Sequence, residues 1–97
     1  MMLLMSKKIA GAQEKFVYTD NEGNETEYLL QHPGVRKGME IKTDFFDEVD
    51  NKIDMSKKNE ALMKHVIVKP RVNWEYLEEV GMDHADALLK AASKFLG

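Results

Sequence analysis

No cysteine occurs in the 97 residues. Disulfides, thiol nucleophiles and cysteine-ligated zinc are thereby excluded together, and the composition agrees with a reducing cytoplasm. Long apolar runs are also missing. A membrane span needs about 20 consecutive apolar residues, yet the apolar start Met1–Met5 gives way at once to Lys7 and Lys8. A signal peptide has the opposite order, charge first and then ~7 or more apolar residues. This start is therefore expected to fray, with several methionines able to initiate, rather than to anchor the chain. Charge of one sign is absent as well. Lys and Arg number 14 against 17 Asp and Glu, a formal net charge of -3, so no overall field draws the molecule to nucleic acid or anionic lipid. There is no phosphate-cradling glycine loop and no dinucleotide fingerprint, and Ser6, Ser56 and Ser93 lie in no nucleophile elbow.

What remains is a globular composition, 43% hydrophobic and 32% charged, long enough for one domain with a modest core. Residues 1–14 carry no clear period and read as a mobile N-terminal arm, with a short helix over Ser6–Gln13 weakened by Gly11. Residues 15–97 read as a single α+β domain, a β-hairpin followed by about four short-to-medium helices packed on it. Phe16, Val17, Tyr18 and Thr19 are aromatic or β-branched. Asp20–Asn24 supplies turn chemistry, and Thr26, Tyr28 and Leu30 then alternate with Glu25, Glu27 and Leu29. Phe16 and Tyr18 with Tyr28 and Leu30 would form one apolar face. A lone hairpin is marginal in water, so this face must be covered.

The chain changes character at His32-Pro33-Gly34. Proline extends the residue before it and suits a first helical position. A main helix is expected over 34–54, with Val35, Met39, Phe46, Val49 and Ile53 as its stripe and Ile41 and Phe45 widening it. Gly38 in its interior costs about 1 kcal/mol against alanine, which close approach of a neighbouring backbone would explain. A break falls at Asp54–Ser56, with Ser56 as N-cap of a second helix carrying Ala61, Leu62, His65 and Val66 on one side. Val66-Ile67-Val68 and Lys69-Pro70 should be extended. Asn73 caps a two-turn helix over 74–80, with Trp74 and Leu77 on one face and Gly81 closing it. A last helix over 83–96 carries Ala85, Leu88, Leu89, Ala92, Phe95 and Leu96 at helical spacing.

Candidates for chemistry are few. His32 reads first as a cap or turn histidine and His65 as a core or boundary one. His84 with Asp83 and Asp86 has the composition of a metal cluster, but neighbouring helical positions diverge by about 100° and no partner sits at i+4. A small metal-dependent enzyme using these three is thus an alternative, as is a helical DNA-binding regulator built from 57–66 and 74–80. Against the second, Pro70 and its β-branched neighbours do not make a tight turn. Asp47-Glu48 and Glu78-Glu79 read as solvated faces, and Lys57-Lys58 and Lys69-Pro70-Arg71 are short and flanked by acids. No catalytic residue, cofactor or metal ligand is assigned. A surplus of large apolar groups remains, and the candidate interaction surface is drawn from Phe45, Phe46, Val66, Ile67, Val68, Trp74, Tyr76, Leu88, Leu89, Phe95 and Leu96.

Three stretches carry a resemblance. His32-Pro33-Gly34-Val35-Arg36 follows a Tyr-Leu-Leu strand. Leu62–Trp74 and Lys90–Leu96 come after it in that order. Together they resemble the tail assembly chaperones of long-tailed, siphovirus-like phages and prophages of Gram-positive bacteria, over roughly Phe16 to Leu96. The resemblance implies a small, non-enzymatic α and β protein that self-associates into rings or spirals. Such a protein coats the tape-measure protein in the host cytoplasm, recruits the major tail protein and is absent from the mature virion. It implies surfaces rather than an active site, and it does not extend to the first fifteen residues.

Overall fold

Alternation from Gln13 to Gln31 does build a hairpin. β1 (Gln13–Thr19) and β2 (Glu25–Gln31) pair antiparallel in unbroken register, with Phe16 opposite Tyr28 and Tyr18 opposite Thr26. The structure, a computed structural model, describes residues 8–43, 46–47 and 52–97, and the pairs 46–47 and 52–53 in backbone alone. Asp20 closes the turn by accepting the N–H groups of Glu22 and Asn24 at 2.9 Å each. Tyr28 and Leu30 are fully buried, while Phe16 and Tyr18 are half-buried on the same face.

Around this hairpin the chain adds α1 (Val35–Thr43), β3 (Phe46–Asp47), β4 (Lys52–Ile53), α2 (Met55–His65), β5 (Ile67–Lys69), α3 (Trp74–Val80) and α4 (Met82–Leu96). The architecture is α+β, as the alternating and helical periods predict. β5 joins the hairpin on the far side of β2, giving the order β1-β2-β5, with Ile67 opposite Leu30. Gln31 N–H also donates to the Val66 carbonyl at 2.8 Å. The extended stretch around Val66–Val68 thus has a partner that its sequence does not name.

The main helix differs most from expectation. It spans Val35–Thr43 and not 34–54. Its opening is set by Gly34, whose φ of +106° suits glycine alone, so the helix begins two residues after Pro33. At the other end the Thr43 hydroxyl donates back to the Met39 carbonyl at 2.8 Å, within the last turn. Beyond it, Phe46 pairs with Ile53 and Asp47 with Lys52 as two short antiparallel strands. The helix also docks by another face. Gly38 and Ile41 are buried, whereas Val35 and Met39 stand exposed. Side chains, not a backbone, fill the glycine gap: a Cβ at Gly38 would lie 3.4 Å from both His32 Cε1 and Leu96 Cδ1.

Residues 8–14 are not a free helical arm. Gly11 N–H donates to the His32 carbonyl at 3.0 Å, His32 N–H returns to the Ala12 carbonyl at 2.7 Å, and strand begins at Gln13. The Lys8 ammonium donates to the Phe95 carbonyl at 2.6 Å, a cation placed at a helix C-terminus. The expectation for residues 1–7 lies outside the described residues.

The helices that cover the sheet follow their patterns closely. α2 starts one residue before Ser56, because Asp54 is the cap, its carboxylate accepting from Lys57 N–H at 3.2 Å. Asn73 caps α3 through Tyr76 N–H at 2.8 Å, and Gly81, at φ +91°, separates it from α4. Ala85, Leu88, Ala92, Phe95 and Leu96 bury one side of α4 against Tyr28, Leu30, Leu62, Val66 and Ile67. Burying a side chain the size of Leu88 contributes about 1.5–3 kcal/mol.

Candidate functional site

The best-defined polar arrangement among the described residues joins four aromatic or imidazole rings from both halves of the chain. β2 presents Tyr28, β1 presents Tyr18, α3 presents Tyr76 and α4 presents His84. The Tyr28 hydroxyl lies 2.5 Å from that of Tyr76 and 2.7 Å from His84 Nε2. Tyr18 stacks on the His84 ring with centroids 4.1 Å apart and planes 20° from parallel. Tyr28 meets both Tyr76 and His84 edge to face, at 6.4 and 5.8 Å.

Electrostatics keep the members of this arrangement uncharged. Burial, reinforced by the bond and charge of Tyr76, pushes the Tyr28 hydroxyl well above the usual tyrosine value, so it keeps its proton. Burial pulls His84 below the ordinary histidine value, against a weaker upward pull from Asp20, so its ring is neutral at neutral pH. The protonated Tyr28 hydroxyl thus shares one hydrogen bond with the Tyr76 hydroxyl and one with His84 Nε2. The buried hydroxyl makes both of these bonds within the chain. The arrangement acts as a clasp between hairpin and helices.

This geometry bears on the metal alternative. His84 turns to Tyr28. Asp86 turns to Lys90 at 3.1 Å, and Asp83 is exposed in the first turn of α4. The three do not converge, and among the described residues no group of three His, Asp or Glu could hold a metal ion. Between α2 and α3 the chain forms β5, so the two helices are not joined by the turn that a helix-turn-helix requires. His32 is buried. Its Nδ1 accepts from Gly34 N–H at 3.1 Å and its ring meets Phe95 edge to face at 6.2 Å. His65 is half-buried, and burial followed by the charges of Lys37, Lys64 and Arg71 lowers its pKa.

The expected apolar surface divides. Val66, Ile67, Leu88, Phe95 and Leu96 are buried within the chain, so these five are core and correct the expectation of a surface. Val68, Tyr76 and Leu89 are half-buried, the last two packed against the core. Trp74 is exposed at the start of α3 although Leu77, one turn along the same face, is buried, and its indole N–H donates to Glu60 at 3.3 Å. Phe45 lies outside the described residues and Phe46 is described in its backbone alone.

Other residues supply the apolar exposure. Met82, Met39 and Val35 are 81%, 64% and 57% exposed, and Met55 joins them. Val35 and Met39, one helical turn apart, rim a groove of about 300 Å³ floored by His32, Gly38 and Leu96. Trp74 borders a second groove of about 390 Å³ with Met63, Val72 and Arg71. Sequence reasoning missed the Tyr28 clasp, since its members are scattered over the chain with no shared spacing. It registered the methionines as a count of seven, without locating them.

Among the described residues no helix is long and apolar enough to cross a membrane. Comparison of the chain with models of protein families, with curated proteins and with solved structures finds no match.

Proposed function

We propose that this chain is a tail assembly chaperone of long-tailed, siphovirus-like phages or prophages of Gram-positive bacteria. It self-associates and coats the tape-measure protein in the host cytoplasm. It keeps that protein soluble and recruits the major tail protein, and it does not remain in the virion. The reading assigns no catalysis and no cofactor.

The observation that carries it is the set of large apolar side chains standing open on different helices: Val35, Met39, Met55, Trp74 and Met82. Three are methionines, unbranched and polarizable, which suit tolerant contact with varied apolar stripes on a long helical rod. Weak contacts repeated by an oligomer give avidity without one tight site, and tube subunits can then displace them. The stretches that carry the resemblance also support it by meeting in one place. The His32 ring meets Phe95, and Leu62, Val66 and Ile67 share one core with Phe95 and Leu96.

Co-expression with a tape-measure protein of such a phage tests the reading. The tape-measure protein is expected to move into the soluble fraction and to coelute with the chain. Met39→Lys and Met82→Lys, both at exposed positions, are expected to weaken coelution while leaving the fold intact. An insoluble tape-measure protein and a chain that elutes alone would sink it.

A further inference from the structure

β1 is an edge strand, and its ladder fixes which of its backbone groups point outward. His32 N–H donates to the Ala12 carbonyl at 2.7 Å and Asp20 N–H to the Asn24 carbonyl at 2.9 Å. Even-numbered residues of β1 thus bond to β2, and Gln13, Lys15, Val17 and Thr19 turn their N–H and C=O groups away from the sheet. All four are exposed, and among the described residues nothing pairs with that edge.

The two edges of the sheet differ. β5 is short, has a register shift opposite Leu29 and Leu30, and runs straight into Pro70. Such an edge resists pairing. β1 has no proline and no bulge over seven residues. Its lysine, Lys15, leans to Glu27 of its own sheet at 3.7 Å.

We propose that β1 pairs antiparallel with β1 of a second copy of this chain, across a two-fold axis at Phe16. The inference rests on the self-association in the proposed function and names its surface. A two-fold axis normal to the sheet keeps each face on its own side, so odd residues must bond to odd residues. Centred on Phe16, the strands overlap from end to end. Lys15 bonds with Val17 of the partner subunit and Gln13 with Thr19 of the partner subunit. Glu14 faces Tyr18 of the partner subunit and the two Phe16 rings meet. No like charges oppose each other. Centring on Lys15 would oppose two ammonium groups, and centring on Val17 would set Glu14 against Asp20 of the partner subunit. Like charges directly opposite destabilise a pairing, so charge selects the Phe16 register.

Light scattering over a dilution series of the full chain, beside Val17→Lys, tests this. Val17 lies opposite Glu27 in its own sheet, so lysine there favours the fold. In the dimer it would stand against Lys15 of the partner subunit at two symmetric places. The wild-type chain is expected to associate with concentration, and Val17→Lys to raise the dissociation constant roughly tenfold or more. Its unfolding midpoint, read where both chains are monomeric, should be unchanged or higher. A wild-type chain monomeric throughout, or a variant that associates equally well, overturns the proposal. Because the chain has no cysteine, single cysteines at 15, 16 and 17 read the register. Oxidation should cross-link position 16 best, where directly opposed Cα atoms fall within disulfide reach; a maximum at 15 or 17 overturns it. Neither readout contains a tape-measure protein, so their failure is distinct from failure of the coating assay.

Discussion

The Tyr28 hydroxyl stands 2.7 Å from Nε2 of His84, and this contact ties the second strand of the hairpin to the last helix. Tyr76 reaches the same oxygen from α3. One buried hydroxyl thus links three elements separated by 48 and 56 residues along the chain. Their packing alone would tolerate small slides. A hydroxyl with two directed bonds does not, and its burial makes each lost bond expensive.

Tyr28→Phe is therefore expected to destabilise by about 1–3 kcal/mol in urea denaturation. The ring and its stack on Phe16 at 6.3 Å remain, so the loss reports the hydroxyl. Tyr76→Phe should cost less, about 0.5–1.5 kcal/mol, since Tyr28 keeps its bond with His84. Equal losses in the two variants would argue against Tyr28 as the shared centre.

Stability should rise with pH across the histidine range. His84 and His65 both have folded pKa values below the ordinary 6.5, set first by burial. Between the folded value and 6.5 the unfolded chain holds more protons than the folded one, so acid favours unfolding there. The contribution is complete above about pH 6.5 and is lost as pH falls toward the folded values. Urea midpoints measured from pH 7.5 downward should decline over this window, and His84→Gln should flatten the decline. Asp20 and Glu40 act in a lower window. Backbone donation from Asn24 holds Asp20 down and Lys37 holds Glu40 down. Their contributions persist above the ordinary carboxylate range and fade only as pH drops below it. A flat midpoint between pH 7.5 and 5.5 would contradict the histidine assignment.

The hairpin, α3 and α4 were legible because each carries its signal locally. Gly23 and Asn24 mark the turn, Asn73 and Gly81 bracket α3, and the apolar spacing of α4 leaves one face to bury. The stretch 34–54 was not, since Phe46 and Ile53 fit a helical stripe as well as they fit the paired ends of two short strands. The docking face of α1 is hidden for a related reason. Val35 and Met39 are larger than Gly38, yet the glycine side docks because the His32 ring and Leu96 fill the gap beside it. Asp54 caps α2 two residues ahead of Ser56, because its carboxylate reaches Lys57 N–H. The Tyr28 clasp depends on distant elements meeting, and nothing in local periodicity carries that information.

Gly38 gives the sharpest test of how α1 is seated. A Cβ there would meet His32 Cε1 and Leu96 Cδ1 at 3.4 Å, which is the near limit of ordinary contact. Gly38 has helical neighbours and its N–H bonds to the Gly34 carbonyl at 2.8 Å, so alanine asks for no new backbone. Alanine gains about 1 kcal/mol of helix propensity over glycine and adds apolar contact. Gly38→Ala is therefore expected to stabilise the chain, by up to about 1 kcal/mol in thermal or urea unfolding. Gly38→Leu must push aside either the His32 ring, held by Gly34, or Leu96 in the core, and should destabilise by about 1–3 kcal/mol. The opposite signs are the point. If alanine destabilised as strongly as leucine, α1 would lie closer to His32 and Leu96 than 3.4 Å allows. If leucine were neutral, that face of α1 would not be buried at all.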